Sequence, residues 1–482
     1  MKKSLLLSIP VLMLATACVD SIQDYNVNPK VAATVPGLTL VPTAERTLVR
    51  TLTTTNQNIG ITRLLVQYWT ETTYNDEARY NLASRQITEN FWTPLYQTVL
   101  GNLNEATRLI TADATLAANV KANQLACIDV LAVHAWSTLV DTYGNIPYTE
   151  ALNPLNTTPK YDDAATIYTD LIRRLNADIA AMSTSASGLG NSDIVYNGNM
   201  TRWLRYANSL KLRLAINTAD VDAARSKTLV EQAAAGVFQS SSDNAQLTFL
   251  TALPNQNPLY EDLVSSGRAD YVGADTFINP LIALNDPRLS IYFQPLDGTT
   301  TYKGAVYGPK TSADNSSQPG TVLRSATLPG VLASYSEVQF LLAEAVERGF
   351  AVDGTAESHY KAAITASITY WENLAGRATA AADAAAYLAQ PSVSYTTATG
   401  GYKQKIGIQK WISLYNQPTQ AWVEWRRLDY PQLTKPAVAL TDIPLRFTYP
   451  TSEQNLNGTN YETAASSIGG DRVTAKIFWD KF

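Results

Sequence analysis

Asp162-Asp163-Ala164-Ala165-Thr166-Ile167-Tyr168-Thr169-Asp170-Leu171-Ile172-Arg173-Arg174-Leu175-Asn176-Ala177-Asp178-Ile179-Ala180-Ala181-Met182 is the stretch on which the fold turns. Ile167, Leu171, Leu175, Ile179 and Met182 step by four, four, four and three. That spacing lays one apolar stripe along a helix and leaves the charges on the other side. Asp162 and Asp163 stand at its start, where the helix dipole favours carboxylates.

The same signal recurs on both sides. Phe91, Leu95, Val99, Leu103, Ala106 and Ile110 recur at helical spacing. Further helices are expected over about 42–55, 59–72, 119–142, 201–218 and 222–235. In the second half Ser334-Tyr335-Ser336-Glu337 matches a capping box ahead of Val338, Leu341, Leu342 and Ala345. Residues 356–374, 403–416 and 419–428 complete the set. Helices of this length in succession predict antiparallel pairs, stacked in the manner of tetratricopeptide repeats, although no clean repeat is visible at the ~34-residue period of those proteins.

Two parts break the pattern. Residues 240–332 are rich in Gly, Pro, Asn, Ser, Thr and Tyr and carry few stripes. A long irregular insert in a helical protein is more often functional than idle. Near the C-terminus Ile443, Leu445 and Phe447 alternate with Pro444, Arg446 and Thr448, which predicts a short extended segment.

At the N-terminus Lys2 and Lys3 precede an uncharged run from Leu5 to Ala17 that ends in Leu14-Ala15-Thr16-Ala17-Cys18. The run is shorter than the roughly 20 residues a membrane span needs, and its basic-then-apolar layout is that of a cleaved signal. Small residues ahead of a cysteine point to a bacterial lipoprotein with Cys18 as the lipidated mature N-terminus. The alternative is an ordinary A-x-A cleavage site and a secreted protein. The expected organisation is a signal at 1–17, a lipidated tether at 18–40 and a body at 41–482. No later segment reads as a membrane span. Without Lys2 and Lys3 the chain has 35 basic against 42 acidic residues, a net charge of −7. That balance excludes nucleic acid as a partner, which demands concentrated basic surface. Cys127 is the one cysteine besides Cys18. It lies in an apolar helical stretch, so it reads as a buried, inert thiol.

Catalytic equipment is sparse. His134 and His359 are the only histidines, and neither has a metal-ligand neighbour at the usual spacing. The expectation is no enzyme activity, no cofactor and no metal. An all-helical glycosidase working with two carboxylates is the enzymatic alternative, and a helical scaffold that binds only proteins is the other. Aromatics are more suggestive, with 26 Tyr and nine Trp against 10 Phe. A flat apolar face with a polar edge suits a sugar ring, especially beside Asn, Arg or Asp. Trp69, Tyr74, Arg79, Tyr80 and Asn81, with Tyr68 beside them, form one candidate ligand cluster. Tyr271, Tyr292, Tyr302 and Tyr307, in the irregular insert, form the other.

A set of ordered segments completes the reading. After the lipoprotein signal come Asp24-Tyr25-Asn26-Val27-Asn28-Pro29, Tyr143-Gly144-Asn145-Ile146-Pro147-Tyr148 and Trp203-Leu204-Arg205-Tyr206-Ala207-Asn208-Ser209-Leu210-Lys211-Leu212-Arg213. Ser336-Glu337-Val338, Gln409-Lys410-Trp411, Ala421-Trp422-Val423-Glu424-Trp425-Arg426-Arg427-Leu428-Asp429-Tyr430-Pro431 and Phe447-Thr448-Tyr449-Pro450 follow. In this order they resemble the SusD/RagB family of Bacteroidetes outer-membrane nutrient-binding lipoproteins, in its SusD-like branch. The resemblance covers nearly the whole mature chain. It implies a mainly α fold in which four tetratricopeptide-like helix pairs support an irregular, ligand-facing half. It also implies one large domain, a place at the cell surface, and a lid role over a SusC-like, TonB-dependent barrel. The implied cargo is an oligosaccharide, with a peptide as the alternative. Calcium occurs in this family, but the chain has no D-x-D-x-D-G loop. Ligand residues vary within the family, so none is carried over. The shared motifs read as structural: Gly144 permits a turn, Pro147 sets its exit, and Arg426 and Arg427 meet a helix dipole and a buried carboxylate.

Overall fold

The computed structural model describes residues 35–56 and 58–481. The leader, Cys18 and most of the tether therefore lie outside the described residues. The longer helices are α1 (Val41–Thr53), α2 (Gly101–Ala112), α3 (Ala118–Tyr143), α4 (Ala164–Ala181), α5 (Met200–Asn217), α6 (Ala223–Ala234), α7 (Tyr335–Glu347), α8 (Ala356–Leu374), α9 (Tyr402–Ser413) and α10 (Pro418–Leu428). Consecutive helices pack on each other: α2 on α3, α3 on α4, α4 on α5, α5 on α6, then α7 on α8 and α9 on α10. The mainly α architecture built from helix pairs is thus present.

The deciding stretch forms α4. Ile167, Leu171 and Leu175 are buried, and the two acids at its start have separate structural tasks. Asp163 caps the helix by accepting the Thr166 N–H at 2.9 Å. Asp162 accepts the N–H groups of Tyr148 (3.1 Å) and Thr149 (2.8 Å) and so fastens β3 (Tyr161–Asp162) to β2 (Ile146–Pro147). The stripe from Phe91 to Ile110 is helical throughout, with a π-helical stretch at Pro94–Leu100 ahead of α2. Steps of four drift by about 40° each on a helix of 3.6 residues per turn. A wider π turn returns Leu95, Val99 and Leu103 to one buried face.

α3 is 26 residues long and apolar enough to cross a membrane, yet 89% of that window is buried inside the protein. It is the central core helix. His134 on it lies buried with Nδ1 2.5 Å from the Tyr206 hydroxyl, a satisfied core histidine, and burial lowers its pKa. Cys127 is a free, buried thiol beside Met200. Gly144 ends α3 at φ 83°, ψ −122°, with only the Ile477 methyl, at 3.8 Å, near an added Cβ. Space is therefore available and conformation is the constraint. Gly144→Ala is expected to lose about 1–3 kcal/mol of stability, seen as a lower urea midpoint with an unchanged slope.

Four expectations need correction. Residues 59–72 do not form a long helix. A single turn at Thr62–Leu65 stops at Gln67, whose φ is 55°, and the chain turns into strand β1 (Trp69–Glu71). The tether does not reach Leu40, because Gly37–Leu40 form a 3-10 turn packed on α2. A Cβ on Gly37 would meet Ile110 at 2.9 Å, so this turn belongs to the compact unit Gly37–Phe482. The Ile443–Thr448 alternation fails at Arg446, which is buried with its guanidinium on the Tyr143 carbonyl (2.9 and 3.1 Å) and Asp471 (2.6 Å). Ser334 does cap α7 through the Glu337 N–H. The reciprocal bond is displaced because the Glu337 carboxylate pairs with buried Arg213 of α5 at 2.6 and 2.7 Å.

The insert at 240–332 is irregular apart from short elements. Strand β4 (Ala245–Leu247) pairs with β6 (Gly330–Ala333), and β5 (Tyr271–Gly273) pairs with β1. The insert is thereby stitched to the first 80 residues of the chain.

Candidate functional site

The β1–β5 register, Trp69 opposite Gly273 and Glu71 opposite Tyr271, brings the two aromatic clusters together. It brings most of them together as core. Trp69, Tyr80, Tyr271, Tyr292 and Tyr307 are all buried. Each polar tip has an internal partner, as buried Tyr and Trp require. The Trp69 indole N–H donates to the Tyr415 hydroxyl at 2.6 Å. Tyr271 donates to the Thr55 carbonyl, Tyr292 to that of Ile412 and Tyr307 to that of Leu64. Tyr80 accepts from the Gln67 amide at 3.0 Å. Tyr292 stacks on Tyr415 with centroids 4.0 Å apart. No face of these five rings is open to a ligand, which corrects their assignment as platform residues. Removing Trp69 or Tyr80 would empty the core at about 3–5 kcal/mol each, not test binding.

Tyr74 is different. It is 57% exposed and held in the left-handed region at φ 55°. The loop that carries it is fixed on three sides. Thr72 N–H donates to the Asp270 carbonyl at 2.9 Å, and the Thr73 hydroxyl donates to the Asp270 carboxylate at 3.2 Å. The Asn75 amide donates to the Gly308 carbonyl at 2.7 Å. Arg79 Nε donates to the Val438 carbonyl (3.1 Å), while Leu440 N–H returns to the Arg79 carbonyl (2.9 Å). Asn81 N–H closes the loop on the Asp76 carbonyl at 2.8 Å. Arg79 and Asn81 are half-buried. Tyr302 is half-buried within electrostatic reach of Arg377, just beyond α8, and does not join this constellation.

Two guanidinium groups approach the Tyr74 ring, Arg268 at 5.2 Å and Arg85 at 5.5 Å from its centroid. Both are oriented by carboxylates. Arg268 grips Asp270 at 2.5 and 2.9 Å, and Arg85 reaches Glu77 at 2.7 Å. Sequence reasoning missed Arg85, Arg268 and Asp270, though the signal was available. Arg268 and Asp270 directly precede Tyr271, and the rule that singled out Arg79 applies to them.

Beneath the loop Glu71 and Glu77 meet carboxyl to carboxyl. Glu71 Oε2 accepts the Ala78 N–H at 3.0 Å, while Glu71 Oε1 and Glu77 Oε2 have no donor. A proton held between them satisfies both oxygens. Burial, and then the charge of Glu77, push Glu71 up to about 9. The loop therefore rests on a neutral acid at ordinary pH.

An exposed ring with oriented donors and acceptors along its edge can stack on a sugar's C–H face and bond its hydroxyls. Comparison with known proteins agrees with that chemistry. The profile of the SusD-like family, described as starch-binding and associating with the outer membrane, matches residues 28–450. This chain belongs to the SusD-like family. The chain is similar to a solved chitin-binding protein at 27% identity and TM-score 0.79, over 92% of this chain and 100% of that one. It is similar to a SusD homologue from Bacteroides uniformis at 25% identity and TM-score 0.75, over 92% and 99%. A SusD homologue from Bacteroides fragilis, 24% identical, shares the fold at TM-score 0.78 over 93% and 100%. No curated protein matches. Within the SusD-like frame, the Arg426-Arg427 motif is structural: Arg427 is buried on Glu344 and Glu424, and Arg426 lies 3.8 Å over the Trp422 ring.

Proposed function

We propose that this SusD-like chain is a non-catalytic, lipid-anchored capture protein for an oligosaccharide, with Tyr74 as its platform. The observation that carries the reading is the Tyr74 ring, exposed and flanked by Arg85, Arg268 and Asp270, in a chain of a family described as starch-binding. A chitin-binding relative of the same fold supports a glycan cargo. In this reading Cys18 carries the lipid and the protein faces the cell exterior. It sits over a SusC-like, TonB-dependent barrel as a lid and passes the glycan inward. Arg79 and Asn81 hold the loop so that the ring is presented without a rearrangement on binding.

The test is a calorimetric titration of the mature protein with maltohexaose and chitohexaose, followed by an assay for new reducing ends. Saturable binding of either sugar with no new reducing ends is expected. Release of reducing sugar would replace capture with hydrolysis, and no binding by either would remove the glycan reading.

A further inference from the structure

One face of α1, carrying half-buried Pro42, Thr43, Arg46, Thr47 and Arg50, borders open space. Pro42, Thr43 and Arg46 line a cavity of about 580 Å³, and Arg46, Thr47, Arg50 and Thr54 line a second of about 360 Å³. Arg46 belongs to both, so the two adjoin as one groove along the helix, crossed at its middle by the Arg46–Asn255 bond. From residue 42 to 54 the groove runs about 18 Å at 1.5 Å per residue. Its far wall is the 247–262 segment, which continues directly into the Arg268–Asp270 support of the Tyr74 loop.

The lining alternates apolar surface with neutral donors and acceptors. Leu250, more than half exposed, and Ile194 lie beside Asn191, Asn197, Asn255 and the threonines of α1. Its charges are answered within the protein. Asp193 accepts from four donors: the N–H groups of Val195 (2.9 Å), Tyr196 (2.7 Å) and Gly198 (2.8 Å) and the Trp203 indole (2.7 Å). Arg50 holds Glu261 in a two-point pair at 3.0 and 2.8 Å. Asp262, at one end, accepts from the Thr54 hydroxyl (3.4 Å) and the Asn56 amide (3.5 Å), which leaves Arg46, bonded at 3.0 Å to the Asn255 amide oxygen, at the middle. The groove thus presents one guanidinium, a donor only, among neutral donors and acceptors, a lining that a chain of hydroxyls can match. Its length suits a chain of several units, and its mix of apolar and hydroxyl or amide surface suits sugar rings.

We propose that the α1 groove is a second binding site, taking a neutral oligosaccharide several units long with Arg46 hydrogen-bonding its hydroxyls at mid-chain. The proposal rests on the glycan reading above. It makes affinity depend on chain length. The experiment titrates the mature protein with maltose through maltoheptaose and with chitobiose through chitohexaose. Two variants are compared with wild type: Thr43→Trp, which fills the groove from a half-exposed helix position, and Arg46→Ala. The wild type is expected to bind the longest sugar at least about tenfold more tightly than the dimer, the step set by one or two added hydrogen-bonded contacts. That ratio should collapse toward one in both variants, with unchanged thermal midpoints. Equal affinity for long and short sugars in the wild type would overturn the groove alone, as would an unchanged ratio in both variants. Tighter binding of an oligogalacturonate than of the neutral chains would also overturn it. Failure of every sugar to bind would overturn the glycan reading and the groove with it.

Discussion

Arg427→Ala is expected to lower folding stability by about 3–5 kcal/mol, the range for breaking a buried ion pair from one side. Arg427 is buried near the end of α10. Its two terminal nitrogens meet the Glu344 carboxylate at 2.5 and 2.6 Å, and one of them also meets Glu424 at 2.5 Å. Lys410 completes the group on Glu424 at 2.7 Å, and Arg348 on Glu344 at 2.8 Å. The cluster ties α7, α9 and α10 together. Removing the guanidinium leaves two buried carboxylates sharing the remaining cations, with an unfilled space between them. Arg427→Lys should recover little, because an ammonium cannot make the two-point contact with Glu344. Chemical denaturation measures both. A loss under 1 kcal/mol for the alanine variant would show that the cluster contributes nothing net.

Stability is expected to fall as pH rises from about 5 to 9, and Glu71 is one of the carboxyls that cause it. Burial and the charge of Glu77 hold the Glu71 carboxyl at about 9 in the folded protein. In the unfolded chain it ionises near the ordinary glutamate value, about 4.3. Below that value both states keep the proton and the contribution is whole. Above it the unfolded chain releases the proton and the folded one does not, so stability drains until the pH passes about 9. Asp178, up to about 9 through burial and then Asp129, adds to the same slope, as does Asp262, up to about 7 through burial. Glu344 acts oppositely. Burial alone would raise it, but Arg427, Arg348 and Lys410 hold it at about 2, so its contribution is lost as pH falls from about 4.5 toward 2. Stability should therefore peak near pH 5. Glu71→Gln keeps a neutral donor against Glu77 and should be more stable than wild type by about 2 kcal/mol or more at pH 9, and nearly equal to it at pH 4. Urea midpoints at pH 4, 7 and 9 give the comparison. Parallel pH profiles for the two proteins would rule out the shared proton.

Much of the scaffold is legible in the sequence because its information is local. The four-residue steps of Ile167–Ile179 set a buried face, Asp163 and Ser334 mark helix starts, and Gly144 marks a stop that needs positive φ. Where local pattern and structure differ, the deciding partner is distant. Residues 59–72 carry enough apolar side chains for a helix, but β5, some 200 residues away, recruits Trp69–Glu71 as a strand. The aromatics failed for the same reason. Whether a tyrosine faces inward depends on a carbonyl to receive its hydroxyl, and those of Thr55, Leu64 and Ile412 are not visible from Tyr271, Tyr307 and Tyr292. Tyr74 stands outside because its own backbone is left-handed and its neighbours Thr73 and Asn75 are tied to Asp270 and Gly308.

In the proposed function the exposed Tyr74 ring captures a glycan. Its most direct test is the affinity of Tyr74→Ala for whichever of maltohexaose or chitohexaose the wild type binds, measured by calorimetry beside a thermal melt. Loss of a well-placed aromatic contact at the centre of a binding surface is worth about 2 kcal/mol, or roughly 30-fold. A drop of that order with an unchanged melting midpoint is the predicted result. Equal affinities in wild type and variant would exclude Tyr74 as the platform.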